Sequence, residues 1–181
     1  MTTLHADALS TLEAWQPTDA GQEALRQAYI AYLSAMPEAM QRSCAPGHLT
    51  ASAVVVDVAR GATLLTLHPR LGRWVQLGGH CEPEDATLRD AALREASEES
   101  GIDGLRIDPL PVQLDVHPLT CSGGVPTRHL DVRYLVQAPP YAEAVISDES
   151  DDLRWFSFEE LPEGLDESTL ALIAAARAAL V

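Results

Sequence analysis

GGHCEPEDATLRDAALREASEESGI, residues 78–102, joins a pair of glycines to a strongly patterned acidic segment. The paired glycines make a turn, and the segment behind them makes a helix. Thr87 with Asp90 resembles a capping box, and Leu88, Ala91 and Ala92 give a small apolar face. Gly101 suits the left-handed position that ends a helix, and Ile102 stands beyond it for a hydrophobic contact. Within the helix Glu95, Glu98 and Glu99 lie at i, i+3 and i+4, so all three project from one face. Each like-charge pair costs a helix about 0.2–0.5 kcal/mol. The macrodipole adds about 0.3–1 kcal/mol for each carboxylate in the last turns. A domain stable by about 5–15 kcal/mol carries that cost, so spacing alone fits a solvated acidic face as well as a site. The surroundings favour a site. Three carboxylates on one face offer hard oxygen ligands suited to Mg²⁺ or Mn²⁺. The paired glycines let backbone approach a metal closely, and Arg94, at i and i+4 from Glu98, can hold that side chain in place.

Upstream, LTASAVVVDV (49–58) and ATLLTLH (62–68) read as strands joined by a turn at Arg60–Gly61, and a short strand around Trp74–Leu77 runs into the glycines. Downstream, VQLDVH (112–117) and RHLDVRYLVQ (128–137) alternate and read as a hairpin or as neighbouring strands. LRWF (153–156) is a last strand, and DESTLALIAAARAALV (166–181) is an alanine-rich helix opened by Asp166 or Ser168. At the other end, residues 3–15 and 18–35 carry apolar side chains at helical spacing, with Thr18 or Asp19 as a cap, and 37–48 reads as a linker. The expected organisation is a helical N-terminal extension over 1–47 and an α/β domain over 48–181, an α/β/α sandwich around a mixed sheet.

The 181 residues are 46% hydrophobic, enough for a buried core. The net charge is −15 and every basic residue is an arginine. So acidic a surface repels phosphate backbones and anionic lipid, which argues against nucleic acid and membrane as partners. An anionic small substrate needs local compensation from arginines or a bound cation. Cys44, Cys81 and Cys121 form no even framework and no C-x-x-C spacing, as expected of reduced thiols. No apolar run approaches a membrane span and no signal peptide is evident, so a cytoplasmic protein is expected.

Residues 78–102 resemble the Nudix box, usually written G-x5-E-x7-R-E-U-x-E-E-x-G-U with U aliphatic. Arg94 to Ile102 match its second half position by position, with Ala96 at U, and Gly79 matches the leading glycine. The stretch departs in two places: Asp85 replaces the middle Glu, and eight residues rather than seven separate it from Arg94. The resemblance implies a Nudix-type fold and hydrolysis of a nucleoside diphosphate derivative such as a dinucleotide, a nucleotide sugar, ADP-ribose or a nucleoside triphosphate. It implies Glu95, Glu98, Glu99 and the Gly79 carbonyl as ligands of Mg²⁺ or Mn²⁺, with Arg94 orienting them. It transfers no role to Asp85, does not extend to residues 1–47, and is compatible with a homodimer.

His80 follows the glycines, and in isopentenyl diphosphate isomerases, which share this fold, a histidine in a similar setting binds metal. His80 is therefore a candidate ligand, set against a loop histidine that merely packs nearby. Gly78 stands where those isomerases place a catalytic cysteine, which opposes isomerase activity. On the alternating strands Asp115 can face Asp131, and His117 can face His129, if the connection closes near Gly123. That face is either solvated or the wall of a substrate pocket, with His117, His129 and Asp131 as contacts. Arg70 is a candidate phosphate contact, and Trp74 fits the core better than a base-stacking role. Glu149 lies in a loop where Nudix proteins often place a catalytic base. A module that kept the fold and lost turnover is the rival reading, opposed by the intact REASEES run (94–100).

Overall fold

The computed structural model describes residues 3–120 and 124–180. Its centre is β1 (His48–Asp57), a strand buried over its whole length. Burial on both faces explains why the segment reads as a near-continuous run of small and branched residues. β1 pairs in parallel with β7 (Pro126–Gln137), from His48 opposite His129 to Val56 opposite Gln137. It also pairs antiparallel with β2 (Ala62–His68) and with β4 (Leu77–His80). β3 (Arg73–Val75) and β8 (Asp152–Ser157) flank β2, while β5 (Arg106–Ile107) and β6 (Gln113–Thr120) pair with β7. The result is one mixed sheet.

Four helices cover the sheet. α3 (Leu88–Ser100) is the acidic helix, and Thr87 caps it by accepting a hydrogen bond from the Asp90 N–H. α4 (Glu167–Ala179) starts at Asp166, whose side chain accepts from the Thr169 N–H. α1 (Thr3–Ala14) and α2 (Ala20–Ala35) form the N-terminal extension, and Asp19 caps α2. Side-chain alternation along β1 assigns the faces. Leu49, Ala51, Ala53 and Val55 pack toward α1, α2 and α3, whereas Val54 and Val56 pack with Leu172, Ile173 and Ala176 of α4. Helices therefore lie on both faces, as the α/β/α reading expected.

The expected strand at Trp74–Leu77 divides at Gln76 into β3 and β4, because β3 pairs with β2 while β4 crosses to β1. β5 has two residues and no alternation to betray it. The hairpin pairs Asp115 with Asp131 and His117 with His129 as expected, and its tip at Gly123 lies outside the described residues.

The extension is packed into the same core as the sheet. Leu4, Ala8, Leu12, Trp15, Tyr29 and Leu33 share one buried cluster with Leu49, Ala91, Leu130 and Val132. The Tyr29 hydroxyl donates to the Asp115 carbonyl at 2.6 Å. The Gln22 carboxamide grips β6, donating to the Leu114 carbonyl at 3.1 Å and accepting from its N–H at 2.7 Å. Residues 37–48 are likewise packed, with Ala39, Met40 and Cys44 buried. Leu33→Ala should therefore destabilise the whole chain by about 2–5 kcal/mol and leave a single urea transition. Two separate transitions would show that the extension folds as its own unit.

Candidate active site

α3 and β4 bring the acidic side chains and the glycine turn together. An added Cβ at Gly79 would lie 2.8–2.9 Å from the Glu95 carboxylate atoms, so only glycine lets that carboxylate pack against the strand. The Gly78 N–H donates to Glu99 Oε1 at 3.0 Å. Gly101 ends the helix at φ 62°, a conformation that L side chains rarely adopt.

One guanidinium organises the cluster. Arg94 donates to both Asp85 oxygens at 3.1 Å and to the His80 carbonyl at 3.0 Å. It also donates to Glu95 Oε1 at 3.0 Å and Glu98 Oε2 at 3.1 Å. The hydrogen bonds to Asp85 come first among the causes that raise the Arg94 pKa above its ordinary value. Asp85, to which the family resemblance assigned no role, is thus the buried anchor of Arg94, and it also accepts from the Glu82 N–H at 2.7 Å.

The acids differ sharply in environment. Glu98 is exposed, whereas Glu99 is 8% exposed. Burial pushes the Glu99 carboxyl up to about 8, against the Gly78 N–H, and the charges of Glu95, Glu149 and Glu98 add to the rise. Burial also raises Glu95, with Arg94 opposing and Glu98 and Glu149 reinforcing. The charge of Glu149, on its exposed loop, thus bears on both Glu95 and Glu99. In this arrangement Glu99 turns to the Gly78 N–H while Glu95 and Glu98 share Arg94. The three carboxylates occupy one helix face without being gathered to ligand spacing, which among the described residues only three histidines achieve. Even so, the donor set suits a hard dication: acidic oxygens, crowded and partly desolvated, with one guanidinium between them.

His80 points its backbone and its ring in different directions. Its carbonyl faces the acidic cluster through Arg94, while its ring stacks on His48 at a centroid distance of 5.1 Å. It pairs in register with Thr50, so the ring belongs to the sheet face opposite α3. His129 meets both rings, at 4.9 Å from His48 and 5.0 Å from His80. Burial lowers the pKa of all three, to about 4 for His80 and about 3 for His129.

The same face carries the Asp115–Asp131 pair, and Arg133 is the cation that lets the two acids face each other. Its Nε donates to Asp131 at 2.7 Å and its Nη2 to Asp115 at 3.1 Å. Asp131, a candidate substrate contact in the sequence, lies inside the sheet. It is 1% exposed, and Thr50, Ser52 and Arg133 fill its oxygens. Burial alone would raise the Asp115 carboxyl, but the His117 hydrogen bond, the Arg133 charge and the Ser168 hydroxyl bring it down to about 2. His117 stands half exposed at the rim, its Nδ1 2.8 Å from Asp115. Arg70 is exposed in the turn between β2 and β3. Trp74 packs edge-on against Phe156, as its core reading expected. Cys44 and Cys81 are free, and burial raises the Cys81 thiol to about 12; Cys121 lies outside the described residues.

The Glu99 environment sets a pH signature for the metal-free protein. Its folded pKa of about 8 lies above the ordinary 4.5. Across that window the folded protein holds a proton that the unfolded chain has lost, so stability falls as pH rises toward 8 and the contribution levels off above it. In chelator, urea midpoints should decline across the window for the native chain and lose that part of the slope in Glu99→Gln. Equal slopes in both would show that Glu99 is not the titrating group.

The profile of the NUDIX domain matches residues 47–176. A stretch of 92 residues, 49% of this chain, is 36% identical to the m7GpppN-mRNA hydrolase NUDT17 of Bos taurus and spans 30% of that protein's length. A NUDIX-family hydrolase from Clostridium perfringens superposes with TM-score 0.54 at 25% identity, covering 72% of this chain and 95% of its own. The C. elegans Ap4A hydrolase in a binary complex superposes with TM-score 0.56 at 22% identity, covering 73% of this chain and 96% of its own, a likeness of fold. The matched region begins where the helical extension ends and includes α3, β4 and the sheet that supports them. The chain belongs to the Nudix family.

Proposed function

We propose that this chain hydrolyses the diphosphate linkage of a nucleoside diphosphate derivative with Mg²⁺ or Mn²⁺ as cofactor. The observation that carries the reading is the set Glu95, Glu98 and Glu99 on one helix face, with Glu95 and Glu99 packed against the Gly78–Gly79 turn and Glu98 open to solvent. In a chain of net charge −15, an anionic substrate needs a cation that the protein itself scarcely supplies there. Such an ion would be held by Glu95, Glu98, Glu99 and the Gly79 carbonyl, and when bound it neutralises phosphate oxygens and makes water a better nucleophile.

The chain's own groups have distinct tasks. Arg94, fixed by Asp85, holds Glu95 and Glu98 on one side of the helix. Glu99 would hold such an ion only in its ionised form, because a ligating carboxylate must be ionised. Glu149, on an exposed loop whose charge reaches Glu95 and Glu99, would accept a proton from the attacking water. Substrate contact falls to the groups that reach solvent, His117 at the rim of the sheet face and Arg70. His129 and Asp131 support that face from behind. The substrate class covers dinucleotides, nucleotide sugars, ADP-ribose and nucleoside triphosphates.

Glu98→Gln or Glu99→Gln should lower turnover at least about a hundredfold at saturating Mg²⁺, with the fold intact. Near-normal turnover in both would remove these residues from the reaction, and metal binding without turnover in the native chain would favour a binding module. In ¹⁸O-labelled water the label should appear on a phosphate of one product, and chelator should abolish the reaction. Label on carbon alone, or activity that survives chelation, would rule out attack on phosphorus by metal-assisted water.

A further inference from the structure

We infer that His48, His80 and His129 form a second metal site, distinct from the carboxylate cluster and selective for Zn²⁺ or a similar transition-metal ion. One nitrogen from each ring lies within 4.8 Å of the other two. The rings come from three strands, β1, β4 and β7, that the register brings side by side: His48 opposite His129, and Thr50 opposite both His80 and Asp131. The site therefore sits on rigid, hydrogen-bonded backbone.

The nitrogens themselves point to a ligand. His48 is 1% exposed and neither of its ring nitrogens makes a hydrogen bond of ordinary geometry, although the Cys44 backbone approaches the ring. His80 Nε2 and His129 Nε2 are also buried without partners. A buried polar atom left unpaired costs about 1–3 kcal/mol, and here several such atoms face one another. Ring stacking accounts for the spacing of the imidazoles but leaves their lone pairs unused. A single ion would take all three.

The ligand chemistry selects the ion. Three imidazole nitrogens suit Zn²⁺ and its neighbours in the first transition row, whereas Mg²⁺ prefers oxygen. Tetrahedral zinc with bonds of about 2.0–2.1 Å needs nitrogens roughly 3.3 Å apart, so the rings must close in by small side-chain rotations. Three protein ligands leave a fourth position for water or a substrate oxygen. Asp131 favours a cation at His129, and Arg42 opposes one at His80. The inference rests on the histidines alone and does not depend on the diphosphate reading.

The test uses the untagged chain stripped of metal and titrated with Co²⁺. One equivalent should give the visible absorption of a nitrogen-ligated four-coordinate ion, displaced by Zn²⁺ and not by Mg²⁺. His48→Ala and His80→Ala should weaken it at least about a hundredfold, while Glu98→Gln and Glu99→Gln leave it within about threefold. Zn²⁺ at a hundredfold excess over Kd should raise the melting temperature of the unaltered chain by about 5–10 °C, a measurement that needs no variant to fold. Absence of both the absorption and the melting shift, or a cobalt site lost with the glutamates instead of the histidines, would overturn the inference.

Discussion

The constraint on which the site depends is the crowding of negative charge between α3 and β4. Glu95, Glu98, Glu99 and Glu149 act on one another across a partly buried space, and one guanidinium serves them. Arg94 satisfies that demand only because Asp85 and the His80 carbonyl fix it from behind. Gly79 lets Glu95 close on the strand, and Gly78 supplies an N–H to the most buried acid. The loop entering α3 is organised around the same contact, since Asp85 also accepts the Glu82 N–H. A proton on Glu99 relieves the crowding.

β1 separates two chemistries. Its residues facing α3 are apolar and support the acidic helix, while His48, Thr50 and Ser52 face the other way, toward His129, Asp131 and Arg133. The polar half of that second face is closed by internal partners. Arg133 alone binds Asp131, Asp115, Gln113 and Ser168. Such a network is stable only when every member is satisfied. It holds the β6–β7 hairpin in fixed register beside the histidines.

The sequence was most legible where local chemistry dictates local structure. Thr87, Asp19 and Asp166 cap their helices and Gly101 ends α3, because cap preferences are short-range. The pairing of Asp115 with Asp131 and His117 with His129 followed from alternation together with a connection closing near Gly123. Long-range placement was less legible. The direction of the His80 ring depends on β4 crossing to β1, and nothing within residues 77–80 encodes that partner. Asp85 looked like a motif position gone astray, and its bond to Arg94 spans the extra loop residue. The burial of Asp131 required knowing that Thr50 and Ser52 lie on the neighbouring strand. The extension read as separate because its apolar stripe is visible in sequence while the surface it covers is not.

β6 is an edge strand, paired on one side only with β7. Exposed edges invite pairing with another chain. Here the Gln22 carboxamide presents a donor and an acceptor to Leu114, as a neighbouring strand would. Further along, Pro118 offers no N–H for an incoming strand to use. A chain shortened to its Nudix portion would leave Leu114 without its two hydrogen bonds to Gln22 and uncover the apolar residues that α1 and α2 cover.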